Sequence, residues 1–262
     1  MATSATAAEG VDPTDVNVSP TSTFPERFTV NVAGDLILTG NTLMTCPTSA
    51  SACITSQQGS GSRLNNNNFS MVRVDIDDDP TTTTSSTATL GFPAEAPVLF
   101  AGLYWGAGAS GNEARGNVPS GAGSIKIQVP GDNEYRDLQA DEVATISTTG
   151  ANKTYSAYAD ITALVAESGV GDYTIANVAA DTGVNHFAGW SLIVVYADST
   201  EPVRAISVFD GLVSVTKGSP ATIDVSGFRT PPSGPVRTAL GVVAYEGDLG
   251  ISGDQFTLEG RA

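Results

Sequence analysis

The chain has a single histidine, His186, and only two cysteines, Cys46 and Cys53, in 262 residues. One imidazole leaves a zinc ion short of ligands. A Ser–His–Asp triad would have to use His186, and no Gly-x-Ser-x-Gly elbow accompanies it. His186 therefore reads as a loop histidine without a catalytic role. Basic residues are also scarce: 12 Lys and Arg against 28 Asp and Glu give a formal net charge of −16. A chain of that sign repels polyanions, which excludes nucleic acid as a partner. Charged residues make up 15% of the sequence, against about 25% in an ordinary globular domain. No run approaches the roughly 18 apolar residues that a membrane-spanning helix needs. The opening Met1-Ala-Thr-Ser-Ala-Thr-Ala-Ala-Glu9 has no basic n-region and no apolar h-region, so it is not a signal peptide. The expectation adopted is that a leader has been removed, with Met1 as a cloning start. The Gly-rich stretch 106–123 lacks the Gly-Lys-Ser/Thr ending of a phosphate-binding loop.

What fills the chain is Gly, Pro, Ser and Thr around short apolar runs. Hydrophobic residues at 40% and a mean hydropathy of +0.01 mark a folded protein. Two runs stand out, Pro97-Val-Leu-Phe-Ala-Gly-Leu-Tyr-Trp-Gly106 and Ala188-Gly-Trp-Ser-Leu-Ile-Val-Val-Tyr-Ala-Asp198. Each reads as a strand buried on both faces or at the centre of a sandwich. Alternating strand patterns surround them: 28–33, 35–39, 69–76, 86–90, 124–129, 143–147, 203–208, 221–225, 239–245 and 255–258. One helical signal interrupts, with Asp160 as cap and Gly169 as terminator. Residues 1–24 read as an extended tail or linker, whose Val11, Val16 and Val18 could add an edge strand. The rest, 25–262, reads as one all-β domain, a jelly-roll-type β-sandwich with one short helix.

Cys46 and Cys53 close a polar loop with six residues between them. A disulfide in an oxidising compartment is the favoured reading and a metal pair the alternative. Asp75, Asp77, Asp78 and Asp79 are the candidate calcium ligands, because Ca²⁺ takes six to eight oxygens. A solvated acidic turn that blocks edge-to-edge pairing is the competing reading. The loop 246–254, with Glu246, Asp248 and Asp254, is a second oxygen-rich candidate. Trp105 and Trp190, with Tyr104 and Tyr196, could stack on sugars or pack in the core. Core packing is the default for both tryptophans, and Trp105, beside the Gly-rich loop, is the one of the two that is a candidate for exposed ligand binding. Among only three lysines, Lys126, Lys153 and Lys217, Lys126 lies in a strand pattern suited to a Lys–Asn isopeptide crosslink. Carboxylate pairs for glycoside hydrolysis exist among so many acids, but no spacing singles one out.

Several segments, in this order, resemble a module of secreted bacterial and archaeal surface proteins. They are Gly34-Asp-Leu-Ile-Leu-Thr-Gly-Asn-Thr42, Leu64-Asn-Asn-Asn-Asn-Phe-Ser-Met-Val-Arg-Val-Asp75, Leu99-Phe-Ala-Gly-Leu-Tyr-Trp-Gly-Ala107, Tyr158-Ala-Asp-Ile-Thr-Ala-Leu-Val165, Ala188-Gly-Trp-Ser-Leu-Ile-Val-Val-Tyr196 and Val208-Phe-Asp-Gly211. The likeness is to the N-terminal heads of large adhesin-like proteins that carry stacked Ig-like β repeats. Such modules often continue beyond the point where this chain stops, at Gly260-Arg-Ala262. The resemblance implies no catalytic residues. It implies a non-enzymatic structural or adhesive module at the cell surface, with other surface proteins, glycans or copies of itself as partners. Calcium-assisted carbohydrate binding, and fibre assembly by strand addition of the N-terminal tail, are the alternatives. An extracellular glycan hydrolase is a third.

Overall fold

The computed structural model describes residues 24–109, 119–147, 153–215, 220–227, 234, 237–253 and 255–257. Residues 1–23 of the expected tail, Lys217 and Asp254 lie outside these residues. The strands are β1 Glu26–Thr42, β2 Met44–Thr45, β3 Ser70–Arg73, β4 Ser85–Leu90, β5 Val98–Ala109, β6 Ser124–Gln128 and β7 Arg136–Gln139. They continue as β8 Glu142–Ser147, β9 Lys153–Asp160, β10 Gly171–Ala176, β11 Gly183–Val184, β12 Ala188–Ala197 and β13 Val203–Phe209. A six-stranded sheet runs β13-β1-β12-β5-β9-β8, a four-stranded sheet β4-β10-β6-β7, and a small third sheet β11-β3-β2. Every pairing among the described residues is antiparallel, and many neighbours are distant in sequence. The fold is an all-β sandwich, as expected.

The two long apolar runs become β5 and β12, and they pair with each other. Trp105 lies directly opposite Trp190, Leu103 opposite Leu192 and Phe100 opposite Val195. Side chains alternate across a strand, so each run supplies two faces. Ala101, Leu103, Trp105, Leu192 and Val194 enter the main core, against Ile125 and Ile127 of β6 and Tyr173 and Ile175 of β10. Phe100, Tyr104 and Val195 enter a second core, against Ile206 and Val208 of β13 and Phe28, Val30 and Val32 of β1. Burial on both sides explains why neither run carries a polar stripe.

Patterns 28–33 and 35–39, two strands on sequence grounds, fuse into the single β1. Its first half pairs with β13 and its second half with β12. At Gly34 and Gly40 a Cβ would collide with the carbonyl oxygens of Tyr196 and Trp190, so close strand approach there requires glycine. The second half of β1 also flanks the four-stranded sheet. Thr39 Oγ1 donates to Thr89 O and Asn41 Nδ2 to Thr87 O, covering carbonyls on the free edge of β4. Edges left bare recruit other chains, so this contact closes one side of the sandwich.

The helical signal forms α2, Thr162–Ser168. Asp160 accepts from the Thr162 N–H, and Gly169 ends the helix at φ +70°. A second short helix, α1 Cys53–Gln57, was not expected; it begins at the buried Cys53. Cys46 and Cys53 are disulfide-bonded and pack with Phe69 in a satellite core. The expected strands at 221–225 and 239–245 do not form, and the described residues 255–257 of the third expected strand contain none. Their alternation is strand-like, but these segments join none of the three sheets, and Leu240, Val242, Val243 and Phe256 stay exposed.

Candidate functional site

The most organised group of ionisable side chains surrounds Arg27, at the start of β1. Its Nε donates to Asp210 Oδ2 at 2.7 Å and its Nη2 to Asp210 Oδ1 at 3.1 Å. Nη1 and Nη2 reach Glu142 Oε1 and Oε2, each at 2.8 Å. The guanidinium also lies over the Tyr158 ring, 4.2 Å from its centroid. Tyr104 donates its hydroxyl to Asp210 Oδ2 at 2.9 Å, and its ring packs on Tyr158 with centroids 5.1 Å apart. Three elements meet here because the second core ends at this point: β1 enters, β8 forms the sheet edge, and the chain leaves β13.

Beside the cluster is a recess of about 180 Å³, floored by Tyr104, Tyr158 and Ser156 and walled by Arg27, Glu142 and Asp210. Sites for drug-sized ligands usually measure about 300–1,000 Å³, so this one is small. The hydrogen bonds to Glu142 raise the Arg27 pKa further above its ordinary value, against the effect of burial. The same hydrogen bonds hold Glu142 below the usual carboxylate range. Burial, then the charge of Asp210, raises Tyr104. A carboxyl held low stays ionised at neutral pH, so Glu142 is unsuited to donate the proton that glycoside hydrolysis needs. Four guanidinium hydrogen bonds already point at protein carboxylates, and the arrangement suits an ionic lock better than a ligand clamp.

The sequence-derived candidates are placed elsewhere. Asp77 is committed to a turn: its Oδ1 accepts from the Asp79 N–H and Thr82 Oγ1, and its Oδ2 from Tyr135 Oη at 2.6 Å. Asp75 accepts from Ser85 Oγ, and Asp79 from the Thr81 N–H. Among the described residues no group of three or more His, Cys, Asp or Glu converges as a metal site. Asp75, Asp77 and Asp79 are thus engaged in turn hydrogen bonds, and together with the exposed Asp78 they form no shared cage.

Trp105 corrects the expectation of an exposed ligand-binding aromatic. It is 0% exposed and donates its indole N–H to Ala122 O. Trp190 is buried too, with its N–H on Ser86 Oγ. Lys126 ion-pairs with Asp137, directly opposite on β7. His186 is buried, with Nδ1 2.9 Å from Val184 O. Sequence reasoning missed the Arg27 group, whose members lie 115 and 183 positions apart. Asp210 sits inside the quoted Val208-Phe-Asp-Gly211 segment, but nothing local reveals its partner.

No family model, no curated protein and no solved structure matches this chain.

Proposed function

We propose that the chain is a non-catalytic extracellular surface module with a structural or adhesive role, of the kind the adhesin-like resemblance implies. The observation that supports this most is where the chemistry-bearing side chains are spent. Both tryptophans lie in the core, and Arg27 is held by two carboxylates in an ion-pair lock. The Cys46–Cys53 disulfide suits an oxidising compartment. A net charge of −16 keeps such a surface soluble and resists self-association.

The test has two arms. Antibody against the chain should label intact, unpermeabilised cells, and purified protein should release no reducing sugar from a polysaccharide panel. Polysaccharide hydrolysis, or labelling only after permeabilisation, would refute the reading. Retention on a glycan array that disappears with a chelator would favour calcium-assisted carbohydrate binding instead.

A further inference from the structure

The second face of the six-stranded sheet is covered by two different devices. Over one part lie the first half of β1 and β13, joined to each other by a hydrogen-bonded ladder. Over another passes the chain 237–250, which forms no strand. A Cβ on Gly241 would lie 3.8 Å from Leu38 of β1. Tyr245 then lies over Gly106 of β5, where an added Cβ would be 3.1 Å from its ring. The ring stacks on Phe187 with centroids 5.7 Å apart. Its hydroxyl is buried and faces Ser156, the residue that also floors the recess beside Arg27.

Beyond Tyr245 two asparagines clasp the segment. Asn66 Nδ2 donates to Glu246 Oε2 at 2.6 Å, and the Asn66 N–H to Asp248 Oδ1 at 3.2 Å. The Gly250 N–H donates to Asn65 Oδ1 at 2.8 Å, and a Cβ on Gly250 would strike that same oxygen. The hold is one aromatic ring plus side-chain hydrogen bonds, while Leu240, Val242, Val243 and Leu249 remain exposed. The strands beneath are held by ladders and two cores. Segments with few buried contacts open at lower free energy than the elements they cover.

We propose that residues 237–250 are a detachable strap. Docked, it closes the second face through Tyr245 and the Asn65–Asn66 clasp. Released, it extends the recess into a groove from Arg27 past Tyr104 and Ser156 to Gly106, while the sandwich stays folded.

Hydrogen exchange of the full chain, read by mass spectrometry, tests this. Strap amides should exchange at least about tenfold faster than those of β5 and β12, yet more slowly than free peptide. Tyr245→Ala and Gly250→Ala should each accelerate strap exchange about tenfold more and raise binding of an apolar dye. Protection in β5 and β12 should not change. Tyr245→Phe keeps the ring and should behave as wild type. Strap amides as slow as those of β5, or loss of protection throughout the sheet in the variants, would make the segment part of the core and overturn the proposal. So would strap amides that are unprotected in wild type and indifferent to Tyr245→Ala.

Discussion

Arg27 illustrates how burial ranks two apparently equal ion pairs. The Asp210 side chain is 14% exposed and that of Glu142 58%. Exposed pairs contribute little, while a carboxylate left without its cation in a mostly buried site is costly. Arg27→Met and Asp210→Ala should each destabilise by about 2–3 kcal/mol in urea melts, and Glu142→Gln by less than about 1 kcal/mol. Equal costs for Asp210 and Glu142 would contradict this ranking. Asp77 offers a second contrast at the same scale. Its oxygens hold the turn together, whereas Asp78 is exposed. Asp77→Ala should cost about 1–3 kcal/mol with or without chelator, and Asp78→Ala almost nothing. A loss in Asp77→Ala that appears only when calcium is supplied would show an ion to be the missing partner.

Among the elements, β5 and β12 were legible because unbroken apolar runs with aromatic and β-branched residues have few other uses. α2 was legible from Asp160 and Gly169: Gly169 ends the helix as expected, while Asp160 stands one residue before the N-cap Ile161 and accepts from the Thr162 N–H. Residues 239–245 were not, since alternation alone does not say whether a segment pairs into a sheet, and this one pairs with none. The joining of two β1 patterns through Gly34 depends on the geometry of β12, which local sequence does not carry. The Arg27 cluster was illegible for a related reason: its members are brought together only by the closed sandwich. The four aspartates advertised a cation through their number, but Asp75 is directed by Ser85, Asp77 by Thr82 and Tyr135, and Asp79 by the Thr81 N–H. Thr39 and Asn41 carry a further consequence for the elements. Removing both side chains uncovers the Thr87 and Thr89 carbonyls on the edge of β4. A Thr39→Val, Asn41→Ala double variant should lose about 1–2 kcal/mol and aggregate faster on heating. Unchanged aggregation, measured by light scattering, would show that the edge is protected by other means.

Across the whole molecule, buried tyrosines set the response to alkali. Burial pushes Tyr173 and Tyr245 up to about 12, and raises Tyr155 and Tyr158 as well. A folded-state pKa above the ordinary value of 10.0 means that the folded chain holds its proton more tightly than the unfolded one. That stabilisation is complete below pH 10 and is lost as pH rises through about 12. The melting temperature should therefore fall steeply over that interval, and a flat profile would contradict the burial. The central claim is that paired strands carrying Trp105 and Trp190 are enclosed between apolar layers, leaving neither tryptophan at the surface. Acrylamide quenching of tryptophan fluorescence tests it most directly. Native protein should resist quenching and become accessible only through the unfolding transition; a readily quenched tryptophan in the native state would contradict it.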